Sequence, residues 1–336
     1  MDWFERLTGF RESSYDDTRR RLDVDGSRLR SRVNGKSYGI GELELVSLHT
    51  LRERVRAGVG LPGRINVRVV TGDVRRLHQS PEYVGALFQV ASQFNLLEMV
   101  SEKKTPEDGV TRYQNDPTQG PACAIAAGAA TIYRNYFVPV GDDVGQTSER
   151  QLDGLADLGA ALGKALGLSV KSLWTMRNGY ALCTRAGLDA ITNHLASLTF
   201  EEIDTLRGLL RIGVHSGVEV TDADEPLPIV SQAFCSALPP AYSNVPSVYW
   251  QAFACLVLEA AYEATLWAAV LNAQRGGTNI VLLTRLGGGA FGNDDDWIDA
   301  SMRRALRNAA KMALDVRLVS YGRPSPAMLQ LSDEFS

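Results

Sequence analysis

The sequence predicts an α/β protein built as a three-layer α/β/α core, with a mixed sheet between two layers of helices. One observation is the alternation of β-branched runs, such as 65–72, with alanine-rich helical stretches. The second is the order of elements in the last third. A strand at 279–283, a glycine loop at 287–293, a helix at 296–313 and a strand at 315–321 form a β-loop-α-β unit. The two strands of this unit are expected to be parallel and buried.

The N-terminal residues differ in pattern from the rest of the chain. Asn34 and Gly35 lie between the strand-like runs LRSRV and KSYGIGELEL, and Asn-Gly is a strong signal for a hairpin turn. The predicted organisation is therefore an N-terminal extension with a β-hairpin (1–58), a main α/β domain (59–322) with a helical insertion at about 145–210, and a C-terminal tail (323–336).

The core strands and helices follow in order. The run 65–72 ends at Gly72-Asp73, and a second strand-like run ends near Ser92. Thr199, followed by two glutamates, is a candidate helix start. The remaining predicted elements are a helix of small residues at 122–136, helices at 151–166 and 185–210, a short strand pair at 169–183, and strands at 209–220 and 227–238, the last ending at Pro239-Pro240.

The stretch 249–272 is predicted to be a buried helix of the core. It is apolar enough to suggest a membrane span, but Glu259 and Glu263 interrupt it at a high insertion cost. Their i, i+4 spacing places both carboxylates on one face of the helix. We expect them either to pair with arginines, such as Arg177 or Arg285, or to face a polar cleft.

Composition excludes several classes of protein. Thirty-five basic and 39 acidic residues give a net charge of −4, so no overall basic field favours direct nucleic-acid affinity or a membrane surface. The four cysteines occur singly, without CxxC or histidine at ligand spacing. The start of the chain lacks the apolar run of a secretory signal. The sequence therefore predicts a cytoplasmic protein with reduced cysteines, no metal site and no cofactor.

The glycine loop is the main candidate for chemistry. Glycines allow backbone N–H groups to approach a ligand closely, and the following helix N-terminus favours negative charge. The loop has neither the Gly-Lys-Ser/Thr of a Walker motif nor the GxGxxG spacing of a dinucleotide fingerprint. Asp294 to Asp296 are expected to cap the helix. The loop predicts binding of a phosphate or diphosphate by Gly287, Gly288, Gly289, Ala290, Phe291, Gly292 and Asn293.

The segment GGGAFGN between a strand and a helix resembles the second diphosphate loop of macrodomains, and its pattern is most similar to that of poly(ADP-ribose) glycohydrolases. The run VRVVTGDV resembles the macrodomain strand that ends in Gly-Asp. The resemblance implies a macrodomain-like fold, an adenine contact from Asp73 and a distal ribose facing Asn95. Glycohydrolases follow that asparagine with three glycines and paired glutamates, whereas this chain has Leu96, Leu97 and the single Glu98.

Two further positions are candidate ligand contacts. Gln119 begins a helix of small residues, where it either caps the helix or contacts a ligand. Ser236 follows a strand, and strand ends of this kind line ligand crevices in α/β sheets. A serine hydrolase is excluded because GxSxG is absent.

The expected function is binding of ADP-ribose, free or attached to a macromolecule, with hydrolysis of the ADP-ribosyl linkage. Asn95 and Glu98 are the candidate catalytic residues, and Glu98 would act as general acid or base. The alternatives are a non-catalytic ADP-ribose or nucleotide sensor, and an enzyme acting on another phosphorylated metabolite.

Overall fold

The computed structural model describes all 336 residues. Its centre is a mixed seven-stranded sheet with the order β4-β11-β12-β6-β13-β14-β5. The strands of the protein are β1 (Leu22–Asp25), β2 (Arg28–Ser31), β3 (Ser37–Gly39), β4 (Glu42–Ser47), β5 (Asn66–Thr71), β6 (Leu87–Ala91), β7 (Pro139–Val140), β8 (Asp143–Val144), β9 (Trp174–Arg177), β10 (Tyr180–Cys183), β11 (Arg211–Glu219), β12 (Ile229–Cys235), β13 (Ile280–Leu283) and β14 (Asp315–Ser320).

Helices cover both faces of this sheet. They are α1 (Trp3–Thr8), α2 (Tyr15–Arg20), α3 (Leu48–Ala57), α4 (Val74–Gln79), α5 (Gln119–Ala126), α6 (Gly128–Tyr136), α7 (Ala156–Leu166), α8 (Val170–Leu173), α9 (Arg185–Ser197), α10 (Phe200–Gly208), α11 (Gln251–Gln274), α12 (Asp295–Asn308) and α13 (Pro326–Glu334). Helices α3, α11, α12 and α13 share one apolar core on one face, and α4, α5 and α6 pack on the other. The predicted three-layer α/β/α architecture is confirmed.

The sheet is parallel across its centre. Strands β12, β6, β13, β14 and β5 run in one direction, while β11 is antiparallel to its neighbours β12 and β4. Parallel strands covered on both faces consist mainly of apolar residues, as in the buried runs of β6 and β13. Their carboxyl ends therefore meet along one edge of the sheet, where crevices of α/β proteins form. The predicted parallel pair β13–β14 is confirmed.

Two predicted boundaries differ from the structure. The hairpin at Asn34-Gly35 forms between β2 and β3, but β4 then joins the central sheet beside β11, and α3 packs on α11. The apolar side chains of β4 and α3 thus pack into the core of the central sheet. At the other end, α13 contacts β5, and Val67 N donates to Phe335 O. The predicted tail is part of the fold.

Helix α11 is the central core helix. By length and composition it could cross a membrane, yet 83% of its apolar window is buried inside the protein. Glu263 accepts hydrogen bonds from Arg52 (2.6 Å), Arg304 (2.7 Å), Asn308 (2.8 Å) and Trp267 (3.0 Å). These contacts hold α3 and α12 against α11. The expected pairing with arginine is confirmed, although not with Arg177 or Arg285.

Glu259, one turn earlier on α11, pairs with Arg207 of α10 at 2.6 Å. Both carboxylates therefore serve helix packing. Neither one lines the cleft described below.

We expect Glu263→Gln to destabilise the protein by about 3–5 kcal/mol, because it leaves the partly buried Arg52 and Arg304 without part of their counter-charge. The arginine and tryptophan donors lower the pKa of Glu263 to about 2 despite the opposing effect of burial. The stabilisation is therefore complete above the ordinary glutamate pKa of 4.5 and is lost as the pH falls toward 2. Urea unfolding at pH 6 and pH 3.5 should show the difference between parent and variant shrinking at the lower pH.

The matched control is Glu53→Gln on α3, whose side chain is 60% exposed in a pair with His49. We expect a change below about 1 kcal/mol for this surface pair. A Glu263→Gln variant as stable as this control would contradict the structural role of Glu263.

Candidate functional site

A cleft lies at the carboxyl edge of the central sheet. Its walls come from the segment that follows β6, the start of α5, the loop after β12 and the glycine loop after β13, together with Tyr180 of β10. The segments after β6, β12 and β13 leave the sheet at the same edge because these three strands are parallel. The cleft occupies the position expected for a ligand site in an α/β sheet.

The glycine loop supplies unpaired backbone donors to this cleft. Gly287, Gly289, Ala290 and Phe291 line it, and the backbone N–H of each donates to no acceptor in the protein. Four free N–H groups in one short loop form a concave set of partial positive charges, which suits an anion. The arrangement agrees with the sequence-based expectation of a phosphate or diphosphate.

The other residues of the loop shape it. Gly287 and Gly292 have φ of 73° and 74°, a conformation that favours glycine. Asn293 N donates to Gly287 O at 2.9 Å, and Asn293 Nδ2 donates to Leu238 O at 2.8 Å. Gly288, Gly292 and Asn293 do not line the cleft. The geometry therefore offers no support for the predicted ligand contacts at these three positions.

The aspartates after the loop are structural, as predicted. Asp294 is the N-cap of α12 and accepts from Asp296 N at 2.9 Å. Arg285, which lines the cleft, pairs with Asp295 at 2.7 Å and with Asp299. These carboxylates occupy the start of α12, so the donors available to an anion come from the loop and not from the helix terminus.

The start of α5 forms the opposite wall. An added Cβ at Gly120 would lie 1.9 Å from Ala91 O and 3.1 Å from Glu98 Cγ, so only glycine permits this close approach of helix and strand. Gln119 uses its side chain to accept from Ala91 N and to donate to Gln89 O, both at 2.8 Å. Gln119 therefore fixes α5 to β6. The backbone N–H groups of Gln119 and Gly120 have no protein acceptor.

Glu98 is the buried carboxylate of the cleft. Its side chain has no exposed surface, and its Oε2 lies 3.4 Å from Nη2 of Arg134. Its Oε1 has no partner within the protein. Burial raises the pKa of Glu98 to about 7, against the lowering effect of Arg134. A carboxyl group with such a pKa exchanges a proton near neutral pH, as a general acid or base requires.

Asn95 does not reach the cleft. It is fully buried, its Oδ1 accepts from Leu97 N at 3.1 Å, and its Nδ2 donates to Gln151 Oε1 at 2.8 Å. The amide is thus engaged in holding the loop after β6 against the insertion. The expected ribose contact and catalytic role of Asn95 are not supported by this geometry.

Two other predicted contacts lie outside the cleft lining. Ser236 is buried and donates to Ala237 O at 3.0 Å, while its neighbour Ala237 lines the cleft. The expected ligand contact from Ser236 is thereby replaced by a local turn. Asp73 follows β5 and caps α4, accepting from Arg75 N at 2.9 Å through Oδ1. Its Oδ2 makes no hydrogen bond within the protein.

Sequence reasoning did not anticipate Tyr180, which completes an aromatic wall of the cleft with Tyr242 and Phe291. The ring centroid of Tyr180 is 5.0 Å from that of Tyr242 and 5.2 Å from that of Phe291. Tyr180 belongs to β10, within the predicted insertion, and its hydroxyl donates to Met99 O at 2.8 Å. The insertion therefore contributes directly to the site, and no local pattern around Tyr180 indicated this long-range contact.

The chain resembles bacterial poly(ADP-ribose) glycohydrolases in structure. The enzyme from Deinococcus radiodurans in complex with ADP-ribose is 15% identical, with a TM-score of 0.45 over 87% of this chain and 92% of that chain. The enzyme from Thermomonospora curvata bound to the inhibitor ADP-HPD is 13% identical, with a TM-score of 0.43 over 96% and 97%. No protein-family model and no curated protein matches the sequence. Likenesses at this level do not by themselves assign an activity to the chain.

Proposed function

We propose that the chain binds ADP-ribose, free or attached to a macromolecule, and hydrolyses the ADP-ribosyl linkage. The observation that carries the proposal is the set of four unpaired N–H groups in the glycine loop, in the same cleft as the buried carboxyl of Glu98. The loop supplies donors for a diphosphate, and Glu98 supplies a proton carrier next to it. The macrodomain-like sequence GGGAFGN supports the same ligand.

The order of the strands indicates how the ligand would lie along the edge of the sheet. Asp73 follows β5, the glycine loop follows β13, and the segment with Glu98 follows β6. Neighbouring strands lie about 4.8 Å apart, so these three points are spread over roughly 14 Å along the edge. A molecule with a base at one end, a diphosphate in the middle and a second ribose at the other end fits this order. Asp73 Oδ2 is free to accept from the adenine amino group.

The proposed chemistry follows from the position of Glu98. Hydrolysis breaks the bond between the anomeric carbon of the second ribose and the leaving group, and water supplies the new oxygen on that carbon. Protonated Glu98 would donate its proton to the leaving atom, and the carboxylate would regain one from the attacking water. We place the activity in the cytoplasm, since all four cysteines are free thiols.

Calorimetric titration tests the binding. We expect ADP-ribose to bind more tightly than AMP, because AMP lacks the diphosphate that the loop would hold. ADP and NAD serve as comparison ligands that contain the diphosphate. Replacing adenine with hypoxanthine should weaken binding by about 1–3 kcal/mol in the parent but not in Asp73→Ala. Equal affinity for AMP and ADP-ribose would contradict a diphosphate site in the glycine loop.

A non-catalytic sensor is favoured by one observation, the ion pair between Glu98 and Arg134. If Glu98 serves only as the counter-ion of Arg134, it stabilises the fold and takes no part in catalysis. A parent that binds ADP-ribose but releases none from any ADP-ribosylated substrate would establish the sensor.

A further inference from the structure

A buried arginine lies directly behind Glu98. The Arg134 side chain on α6 has no exposed surface, and its Nη2 is 3.4 Å from Glu98 Oε2. Its Nε donates to Leu96 O at 3.1 Å, and Nη2 donates to Thr131 Oγ1 at 3.0 Å. Its guanidinium carbon lies 3.8 Å from the ring centroid of Phe234. These contacts fix the guanidinium group in one position. The same group holds both the backbone after β6 and the carboxylate of the cleft.

The two partners of this pair are not equivalent. An arginine side chain stays protonated in proteins, so Arg134 cannot lose its charge when it is left alone. A glutamate can take up a proton and become neutral in a buried site. Glu98 is the only carboxylate within ion-pair distance of Arg134. The arginine therefore requires the glutamate as counter-ion, whereas the glutamate can persist without the arginine as a neutral acid.

The buried titratable groups around the pair, Tyr113, Cys123 and His215, are neutral near pH 7. Burial raises the pKa of Tyr113 and of Cys123 well above their ordinary values, and burial lowers the pKa of His215 well below its ordinary value. Tyr113 accepts from Glu98 N at 3.0 Å, Cys123 lies on α5 and His215 on β11. The charged side chains Asp116 and Arg285 belong to the lining of the cleft. Arg134 and Glu98 thus carry the charges of the buried pocket.

We propose that Arg134 is a positioning residue for Glu98, holding Oε2 from behind the cleft and leaving Oε1 as the oxygen available to a bound ligand. The pair also sets the protonation state of the carboxyl, because the fixed positive charge favours the carboxylate over the neutral acid. The role of Glu98 as a proton carrier in hydrolysis rests on the proposed function. The arrangement itself can be tested without ligand or substrate.

The test is a titration of Glu98 in the ligand-free protein. The carboxyl carbon of Glu98 is observed by NMR in protein labelled with ¹³C-glutamate and is assigned by its absence from Glu98→Gln. In Arg134→Met, which keeps the length of the side chain without its charge, we expect the pKa of Glu98 to rise above its value in the parent. Arg134→Lys should retain most of the parent behaviour. A folded Arg134→Met protein in which Glu98 titrates as in the parent would overturn the proposal.

The control is Arg317→Met on β14, another buried arginine, which pairs with Asp315 at 2.8 Å. This change should cost stability without moving the titration of Glu98. A matching shift in the control would mean that the effect reports general loosening of the core and would overturn the proposal.

Thermal unfolding provides a second test. It compares the unfolding midpoints of several variants, so the proposal stays testable even if Arg134→Met gives no usable NMR titration. Glu98→Gln should lower the unfolding midpoint, because Arg134 then lies buried without a counter-ion. The double variant Glu98→Gln with Arg134→Met should recover part of that loss. A double variant whose loss equals the sum of the two single losses would show that the side chains are not coupled. Failure of ADP-ribose binding would leave both results unchanged, so the two proposals fail separately.

Discussion

Glu98→Gln slows the release of ADP-ribose from an ADP-ribosylated protein by about 10²–10⁴-fold, while the affinity for ADP-ribose changes little; this is the result we expect. The amide keeps the shape of the carboxyl group but cannot donate or accept the proton on which cleavage depends. A loss in kcat without a matching loss in binding would place the residue in chemistry and not in recognition. In the parent, the rate should fall as the pH rises through about 7, the pKa of Glu98, because the acid form is then lost.

The control for this prediction is Glu102→Gln, four residues further along the same loop and outside the cleft lining. It removes one carboxylate of the same kind, and we expect parent-like release. Because Glu98→Gln also leaves Arg134 unpaired, circular dichroism and the unfolding midpoint must show that the variant is folded under the assay conditions. A folded Glu98→Gln protein that releases ADP-ribose at the parental rate would remove Glu98 from the mechanism.

Most of the fold could be predicted from local patterns. The last third of the chain has clear signals, because the buried parallel strand β13 is a short apolar run and α12 begins at an aspartate cap. Thr199, for example, forms the predicted helix start with Glu202 as a capping box. The packing of residues before 58 onto the central sheet could not be predicted, for a physical reason. The pairing of β4 with β11 joins residues more than 160 positions apart, and no local pattern specifies such a contact.

The candidate site was predicted less completely than the fold. The sequence indicated the glycine loop because a strand, a run of glycines and a helix form a local motif. It indicated Glu98 because this is the only carboxylate close in sequence to Asn95. The roles of Asn95 and Ser236 were not predictable, since the partners that satisfy a side chain are set by tertiary packing. Asn95 is engaged by Gln151, which belongs to the insertion.

Arg134 shows how a buried charged residue can be recognised from the sequence. It is the only charged side chain between Ala122 and Val140, a stretch of mainly small and apolar residues. The same reasoning was applied to Glu259 and Glu263 on α11, where it correctly indicated ion pairs. A charge that interrupts an apolar helix needs a buried partner, and Glu98 is that partner.

The second large effect is expected from Gly289→Val in the glycine loop. Gly289 lines the cleft, its N–H is unpaired, and a Cβ added there would meet no other atom within 4 Å. The substitution should therefore leave the fold intact. The branched side chain would nevertheless occupy space next to the free donors and keep a diphosphate from approaching them. We expect calorimetry to detect no ADP-ribose binding at concentrations that saturate the parent.

Gly287→Val is the informative comparison. Its Cβ would lie 2.5 Å from Ala237 Cβ, and its φ of +73° disfavours any residue with a side chain. This variant should lose stability as well as binding. Comparing the two variants therefore distinguishes the loss of a ligand contact at Gly289 from a disturbed loop conformation at Gly287. Ala57→Val, at an exposed position of α3, adds a similar branched bulk outside the cleft and should bind as the parent does. If Gly289→Val is folded and binds ADP-ribose with parental affinity, the glycine loop is a turn between β13 and α12, and the diphosphate must be held elsewhere.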